Sequence, residues 1–350
     1  MKKLLLIVAG VLFMTVCLAQ NNLPKIIILA TGGTIAGTGA SADRAAYTAG
    51  ELPVGDLIAA VPGIDKVARI SGEQIANVGS QNMSVEIWIK LNKRINEIFK
   101  NKLADGIVIT HGTDTQEETA YFLNLTVRYD NPVVLTGSMR PSTAISADGP
   151  KNLYDAVTVA ASPYSKGRGV LLTFNESIFD GRDAVKTSTT KVNGFAAPNG
   201  APLGQVYDGR VIYYLKAARK ANKETPFDIT GLATLPKVAV VELFADAPGI
   251  GVDAYANGGF DGIVTAGLGN GNLNDANTEA VIRAIKKGIA VCRASRVPTG
   301  RVTQFDETDD DKLGTIVSDD LNPQKARILL MLGLTKTKDR KKLQEFFFQY

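Results

Sequence analysis

The sequence predicts an α/β protein of two domains, each built on a mostly parallel β-sheet that is flanked by helices. In the first part of the chain, short apolar runs such as "KIIILA", "GIVIT" and "GVLLTF" alternate with helical patterns such as "EIWIKLNKRINEIFKN". A second cycle of strands and helices begins at "LPKVAVVELF". Such alternation is typical of βαβ units, in which helices cover both faces of a parallel sheet.

The chain divides into four predicted segments. Its 350 residues are enough for a large core and two domains. The stretch "LKAARKANKETPFDITGLATLP" between the two cycles is charged, polar and interrupted by prolines, which is typical of a linker. We therefore predict a signal peptide at 1–19, an N-terminal domain at 20–214, a linker at 215–236 and a C-terminal domain at 237–350.

The first residues have the three parts of a secretory signal. A basic "MKK" precedes the apolar run "LLLIVAGVLFMTV", and the small residues of "CLA" come before "QNN". The apolar run is too short to span a bilayer comfortably. We expect cleavage after Ala19 and export to the periplasm. A lipid anchor at Cys17 is the alternative, but Val16 is bulky where that signal prefers a small residue.

Charge, cysteine and histidine usage exclude several classes of partner and site. The formal charge of +4 falls to +2 once Lys2 and Lys3 are removed, which is too mild to indicate a nucleic-acid or membrane partner. Cys292 is the one cysteine that remains, so no intrachain disulfide can form, and its context "KKGIAVCRAS" predicts a buried structural thiol. The single histidine, His111, excludes a multi-histidine metal site, and a Ser-His-Asp triad would have to use it. We predict no metal and no cofactor.

Ligands of open parallel sheets bind at the carboxyl ends of the strands. The residues to consider are therefore those that directly follow each predicted strand. They are the stretches "TGGT", "HGTDT", "TGSMRPS", "NESIFDGRDAVKT" and "AGLGNGN".

The first of these loops, in "IIILATGGTIAGTGA", has its glycines at the wrong spacing for a dinucleotide fingerprint. It also lacks the Gly-Lys-Ser/Thr ending of a phosphate loop. An ordinary glycine turn remains an alternative. The hydroxyl of Thr34, however, lies at the tip of a predicted strand-to-helix turn, where a nucleophile is exposed and neighbouring N–H groups can stabilise an oxyanion. Thr31 is interpreted as a strand-end residue.

Two further loops carry complementary chemistry. In "ITHGTDTQEETA", Thr113 and Asp114 precede a helix with two acids in its first turn, and an N-cap with dipole-complementary acids explains part of this pattern. A carboxylate here could also hold a substrate ammonium group. Lys186 in "FDGRDAVKTST" taken alone would be a solvated surface lysine. Close to Thr113 and Asp114, its amine could exchange a proton with the threonine and provide a base without histidine.

The combination of motifs resembles the bacterial type II L-asparaginases, which are secreted amidohydrolases. The resemblance covers essentially the whole chain after residue 19, in collinear order. It rests on "ATGGTIAG", "GSQNM", "ITHGTDTQEETAYFL", "GSMRPSTAISADGPKNLYDAV", "DGRDAVKT", "GNGN", "SRVPTG" and "LNPQKAR". It implies a large N-terminal and a small C-terminal domain, and a homotetramer built from intimate dimers. The implied reaction is hydrolysis of L-asparagine to L-aspartate and ammonia through a threonine acyl-enzyme, with secondary L-glutaminase activity.

The same resemblance implies roles for catalytic residues. Thr34 matches the nucleophile, and Tyr47 matches a loop tyrosine that hydrogen-bonds it. Thr113, Asp114 and Lys186 match a second catalytic cluster, whose division of labour with Thr34 stays open.

Substrate-binding residues are also implied. Ser80 and Gln81 match contacts to the α-carboxylate and α-ammonium groups, to which Thr113 and Asp114 also contribute. Glu307 matches an acid supplied across the dimer interface, and Asn272 a further residue from the neighbouring chain.

Two alternatives remain at this stage. The stretch "GTGASA" resembles a glutaminase-asparaginase branch, whereas Gln81 and Asn272 resemble an asparagine-preferring branch. Asn274 stands where some members carry an aromatic residue of the wall between subunits. A dual glutaminase-asparaginase is therefore one alternative. A periplasmic amino-acid-binding protein is the other, although binding alone gives no reason for Thr34 together with the Thr113, Lys186 and Asp114 set.

Overall fold

The computed structural model describes residues 23–39, 41 and 48–350. The predicted signal peptide with Cys17, and the predicted catalytic Tyr47, lie outside the described residues. In chain order, the strands of the described residues are β1 (Lys25–Gly32), β2 (Arg69–Val78), β3 (Gly106–Thr110), β4 (Val133–Thr136), β5 (Val170–Phe174), β6 (Ser177–Asp180), β7 (Val185–Lys186), β8 (Phe195–Ala196), β9 (Gly204–Tyr207), β10 (Arg210–Tyr213), β11 (Val238–Glu242), β12 (Gly262–Gly267), β13 (Ala290–Ser295) and β14 (Ile316–Val317). The α-helices over the same ranges are α1 (Val54–Ala59), α2 (Val85–Lys100), α3 (Gln116–Thr126), α4 (Gly149–Ala161), α5 (Ile250–Asn257), α6 (Asp275–Lys286), α7 (Asp310–Leu313), α8 (Pro323–Leu334) and α9 (Arg340–Gln349).

Two main sheets confirm the predicted fold class. Over the described residues, the N-terminal domain has an eight-stranded sheet of order β10-β9-β6-β5-β4-β3-β1-β2. Its strands β2, β1, β3, β4 and β5 are parallel, while β6, β9 and β10 form an antiparallel edge. The C-terminal sheet, β11-β12-β13-β14, is parallel throughout. A separate short hairpin pairs β7 with β8.

The N-terminal sheet is buried on both faces, and this is why its central strands are continuous apolar runs. In β1, Ile27 and Leu29 belong to a core formed with α2 and α3, whereas Ile26 and Ile28 pack into a second core with α4. The helix α2 starts from Ser84, whose side chain accepts a hydrogen bond from the backbone N–H of Ile87.

The helix α8 joins the two domains into one packed body. Its residues belong to the same hydrophobic cluster as α2 and α3 of the N-terminal domain and as β11 to β13 of the C-terminal domain. It is apolar almost all round, as expected of a buried helix. The segment predicted as a linker also packs on the body, because Phe227 and Ile229 are buried and Arg128 donates hydrogen bonds to backbone carbonyls of this segment.

Cys292 lies fully buried on β13, as its sequence context predicts, and burial raises the pKa of its thiol. Within the described ranges, no helix is both long enough and apolar enough to cross a membrane.

Candidate active site

The loops that follow β1 and β3 touch through their backbones. Their strands are parallel neighbours in which Ala30 pairs with Thr110, so the two chains leave the sheet side by side. Gly33 has φ +83°, and a Cβ at this position would lie 2.3 Å from the backbone nitrogen of Gly112. Such a contact is possible only for glycine. The glycines of the first loop therefore allow one loop to approach another.

The same loop is also anchored to the end of β2. The N–H of Gly33 donates a 3.0 Å hydrogen bond to the carbonyl of Val78. Thr34 follows at once as the first residue of a 3-10 helix, Thr34–Ala36, and is 6% exposed. Thr31 instead points back to the sheet, where its hydroxyl donates to the carbonyl of Thr110 at 2.9 Å. The strand-turn-helix arrangement expected for Thr34 is therefore present, but the residue is buried rather than exposed as such a turn predicts.

Ser80 lies between the two loops. Its hydroxyl oxygen accepts a 3.1 Å hydrogen bond from the backbone N–H of Asp114. Its carbonyl accepts a 2.8 Å hydrogen bond from the hydroxyl of Thr115. The neighbouring Gln81 is exposed, and its amide group folds back over Gly79. Both residues thus lie at the carboxyl ends of the parallel strands, beside Gly33 and Gly112.

Lys186 joins Thr113 and Asp114 in one cluster. Its Nζ donates to Thr113 Oγ1 at 2.9 Å and to Asp114 Oδ1 at 2.7 Å. The lysine side chain is 17% exposed, and the carboxylate of Asp114 is 57% exposed. A hydroxyl that touches an amine can pass it a proton when the amine is neutral. The lysine is therefore not the solvated surface residue that its local sequence alone would suggest.

Glu117 is a site residue that the sequence did not reveal. Its carboxylate accepts a 2.5 Å hydrogen bond from the backbone N–H of Lys186 and a 2.9 Å hydrogen bond from Asn322 Nδ2. In the sequence, Glu117 was interpreted as an acid that complements the dipole in the first turn of a helix, but the residue is only 7% exposed. The available signal was its spacing, since it lies four residues before the apolar Tyr121 on the buried face of α3.

His111 is a neutral structural residue rather than a base of a triad. Nδ1 of His111 lies 2.6 Å from the carbonyl of Gly112, which can only accept, so Nδ1 carries the proton. Nε2 of the neutral ring then accepts from the hydroxyl of Thr119 at 2.9 Å, and this hydroxyl accepts from the indole N–H of Trp88 at 2.8 Å. Complete burial lowers the pKa of His111 to about 4, and the Gly112 hydrogen bond and the Asp114 charge offset only part of this effect.

Asn272 and Glu307 meet each other on the C-terminal domain. The amide of Asn272 donates to the carboxylate of Glu307, which is exposed. Among the described residues, no hydrogen bond or ion pair links this pair to Thr113, Asp114 or Lys186. The chain alone therefore does not unite all the predicted site residues.

The loops that carry Asn272 and Glu307 are tied together by Arg293. This buried guanidinium pairs with Asp310 at 2.8 Å. It also donates to the carbonyls of Asn270 and Gly271 at 3.2 Å, and to that of Thr303 at 3.3 Å. The two loops consequently form one unit.

Asn274 has a structural task close to these loops. Its side chain caps α6 by accepting from the N–H of Asn277 at 3.1 Å, and its amide donates to the carbonyl of Ala247 at 2.9 Å.

No group of three or more potential His, Cys, Asp or Glu metal ligands occurs within the described ranges.

Comparison with known proteins covers both domains. The family model "Asparaginase, N-terminal" matches residues 25–219, and "Glutaminase/Asparaginase C-terminal domain" matches residues 237–347. The chain is 51% identical to L-asparaginase 2 of Escherichia coli over 95% of each chain. It is also 51% identical to a protein of Haemophilus influenzae named "Probable L-asparaginase periplasmic", over 93% of each chain. A crystal structure named "Probable Cytoplasmic L-asparaginase from Campylobacter jejuni" superposes with a TM-score of 0.91 at 48% identity, covering 93% of this chain and 100% of the other.

The buried, neutral state of His111 predicts a specific loss of stability in acid. Between its ordinary pKa of 6.5 and its folded value of about 4, the unfolded chain binds a proton at His111 that the folded chain does not. The free energy of unfolding therefore decreases as the pH falls. Between pH 7 and pH 5 we expect His111 to account for a loss of about 2 kcal/mol.

Urea unfolding of the native protein and of His111→Asn at both pH values checks this expectation. The variant is the necessary reference, because burial raises the pKa of Glu118 to about 6 and that of Asp180 to about 7. Both acids bind protons more tightly in the folded state, so they stabilise the fold as the pH falls and act against His111. Equal losses for the two proteins would contradict the assignment.

Proposed function

The chain belongs to the asparaginase family over both of its domains, and we propose that it hydrolyses L-asparagine to L-aspartate and ammonia with Thr34 as the nucleophile. The observation that carries the proposal is the Thr113, Asp114 and Lys186 cluster at the same strand edge as the Thr34 loop. A protein that only bound an amino acid would have no use for a lysine directed at a threonine hydroxyl.

The substrate carries opposite charges on its α-carbon, and the proposed contacts divide accordingly. The exposed carboxylate of Asp114 attracts the α-ammonium group. Ser80 and the neighbouring Thr113 offer hydroxyl groups to the α-carboxylate, and Gln81 adds an amide at the rim. These neutral donors avoid placing a second cation next to Lys186.

In the proposed reaction, Thr34 Oγ1 attacks the side-chain carboxamide carbon. The C–N bond breaks, ammonia leaves with the proton that came from the hydroxyl, and a β-aspartyl ester remains. Water then hydrolyses this ester. A carboxamide is a poor electrophile, so its oxygen needs preorganised donors, of which each is typically worth about 3–4 kcal/mol. Lys186 and Thr113 carry protons in this scheme, and Tyr47 hydrogen-bonds Thr34.

We further propose that the active form is a homotetramer arranged as a dimer of intimate dimers, with Glu307 and Asn272 completing the site of a neighbouring chain. Supporting this, the pair lies on the C-terminal domain, is exposed at Glu307 and is held in shape by Arg293. For this proposal we retain the predicted boundaries, with a catalytic N-terminal domain at 20–214, a linker at 215–236 and a C-terminal domain at 237–350.

Export to the periplasm remains the proposed location. It is supported by the signal-like residues 1–19 and by the name of the Haemophilus influenzae relative, although the Campylobacter jejuni protein is named cytoplasmic. No metal or other cofactor has a part in the proposed reaction.

Thr34→Ala removes the proposed nucleophile and nothing else that the reaction uses for binding. We expect ammonia release from L-asparagine to fall at least 1,000-fold, as in other loss-of-nucleophile variants. Asparagine should still bind with a Kd within severalfold of the native value, measured by calorimetry. Thr31→Ala is the matched control, since Thr31 faces Thr110, and near-native turnover by Thr34→Ala would refute the assignment.

The kcat/KM values for L-asparagine and L-glutamine distinguish the two enzyme alternatives. We expect asparagine to be preferred by at least tenfold, because one methylene in a tight site is worth roughly 1–3 kcal/mol. Ammonia release is measured for both substrates under the same conditions. Similar values would favour the dual glutaminase-asparaginase.

A site shared between chains predicts complementation of two inactive proteins. Lys186→Met and Glu307→Ala each damage every site of their own homo-oligomer. After denaturation and joint refolding at equal concentration, mixed dimers contain one intact site, so about a quarter of native activity should return. If Glu307 acts within its own chain, no mixed dimer has an intact site and activity stays at the level of the parents.

A further inference from the structure

We propose that the C-terminal domain positions the catalytic amine of its own chain, with Asn322 and Lys325 at the start of α8 as positioning residues for Lys186. The proposal rests on the function proposed above for Lys186. Both residues belong to the "LNPQKAR" stretch, to which neither the resemblance nor the proposed reaction assigns a task.

The first connection runs through Glu117. One carboxylate oxygen accepts from the backbone N–H of Lys186 at 2.5 Å, and the other accepts from Asn322 Nδ2 at 2.9 Å. With both oxygens bound, the carboxylate cannot rotate freely. The backbone of Lys186 is therefore held at a fixed place relative to the start of α8.

The second connection is made by Lys325, which is only 1% exposed. Its Nζ donates to the carbonyls of Arg182 and Ala184, which lie four and two residues before Lys186. Burial lowers the pKa of Lys325. It forms no salt bridge in the described part of the chain, and the charges of Glu117, Asp183 and Asp180 offset only part of the effect of burial. A buried amine of this kind is costly, and a methionine would fill the same space without the penalty.

The third connection fixes the far end of the same segment. The guanidinium of Arg182 is 4% exposed and forms a bidentate pair with Asp320, at 2.6 and 3.0 Å. The segment 182–186 is thus connected to residues 320–325 directly at Arg182 and Ala184, and by way of Glu117 at the backbone of Lys186.

Within its own domain, the segment is held by hydrogen bonds from the N–H groups of Asp183 and Ala184 to the carbonyl of Asp180, at 3.1 and 2.9 Å. Its only regular element is β7, whose two residues pair with β8 in an isolated hairpin, and two-stranded hairpins are marginal alone. The contacts from α8 add to these bonds, so the position of Lys186 Nζ relative to Thr113 and Asp114 also depends on α8. An error of about 1 Å in such a position can cost 100-fold in rate.

Asn322→Ser tests the contribution of Asn322 without removing its structural task. The side chain of Asn322 also caps α8 by accepting from the N–H of Lys325 at 3.0 Å. Serine caps a helix about as well as asparagine but is too short to reach Glu117. We expect kcat for asparagine to fall about tenfold or more while KM stays within twofold, and the melting temperature to fall as well, because a buried oxygen of Glu117 loses its partner. Asp339→Ser is the matched control, because Asp339 caps α9 by accepting from the N–H of Lys342.

Lys325→Met provides a second variant, which removes both carbonyl contacts and also the positive charge near Glu117. It should lower kcat in the same way, with the oligomer intact by size-exclusion chromatography. If either residue acts through Lys186, its substitution causes no further loss in a Lys186→Met background. A purely structural role would instead lower the residual activity by the same factor in both backgrounds.

The outcomes separate this proposal from the proposed function. If the native protein releases no ammonia from asparagine, or if Lys186→Met retains full activity, the proposed function fails. If the native protein is active and Lys186→Met is not, while Asn322→Ser and Lys325→Met keep native kcat, the positioning role is overturned and the proposed function stands. Additive losses in the Lys186→Met background also overturn it.

Discussion

The arrangement of the site depends on one contact, the backbone approach of the loops after β1 and β3. Because these strands are parallel neighbours, the loops leave the sheet together, and Gly33 and Gly112 let them touch without side chains between them. Each glycine is followed directly by a threonine. The hydroxyl-bearing residues Thr34 and Thr113 are therefore brought to one edge by the same contact, and a side chain on either glycine would separate them.

The charged groups of the site come from several different helices, strands and loops. Asp114 faces the solvent and pairs with Lys186, so this ion pair by itself stabilises little. Glu117 is buried, and its charge is balanced by a backbone N–H and the amide of Asn322 rather than by a cation at contact distance. With neutral donors around Glu117, the amine of Lys186 is the charged group in contact with Thr113 and Asp114.

The alternation of apolar runs and helical patterns predicted β1, β3, β4 and β5, the C-terminal strands β11 to β13, and helices such as α2 and α8, but it did not predict β2, which pairs with β1. The rule for parallel sheets placed the loops of Thr113 and Lys186 at strand ends, whereas their meeting in one cluster was implied by the family resemblance. The alternation was not sufficient for the antiparallel edge of the large sheet, whose strands β6, β9 and β10 are short and carry little apolar pattern. The contact between Glu117 and Asn322 spans 205 residues, and each residue had an adequate local explanation as a helix-terminal group. A local sequence pattern therefore explains the helix-terminal role of Glu117 and Asn322 but not their contact with each other.

Residues of both domains contribute contacts to the candidate site. The helix α8 packs into the core that both domains share, and its first residues reach the segment that carries Lys186. On the same domain, Arg293 ties together the loops of Asn272 and Glu307, which no described contact connects to Lys186. On the two proposals made above, this domain serves two sites. It orders the amine of its own chain through α8, and it offers Glu307 to a neighbouring chain. Because α8 also completes the core around α2 and α3, the support for Lys186 and the packing of the two domains come from the same helix.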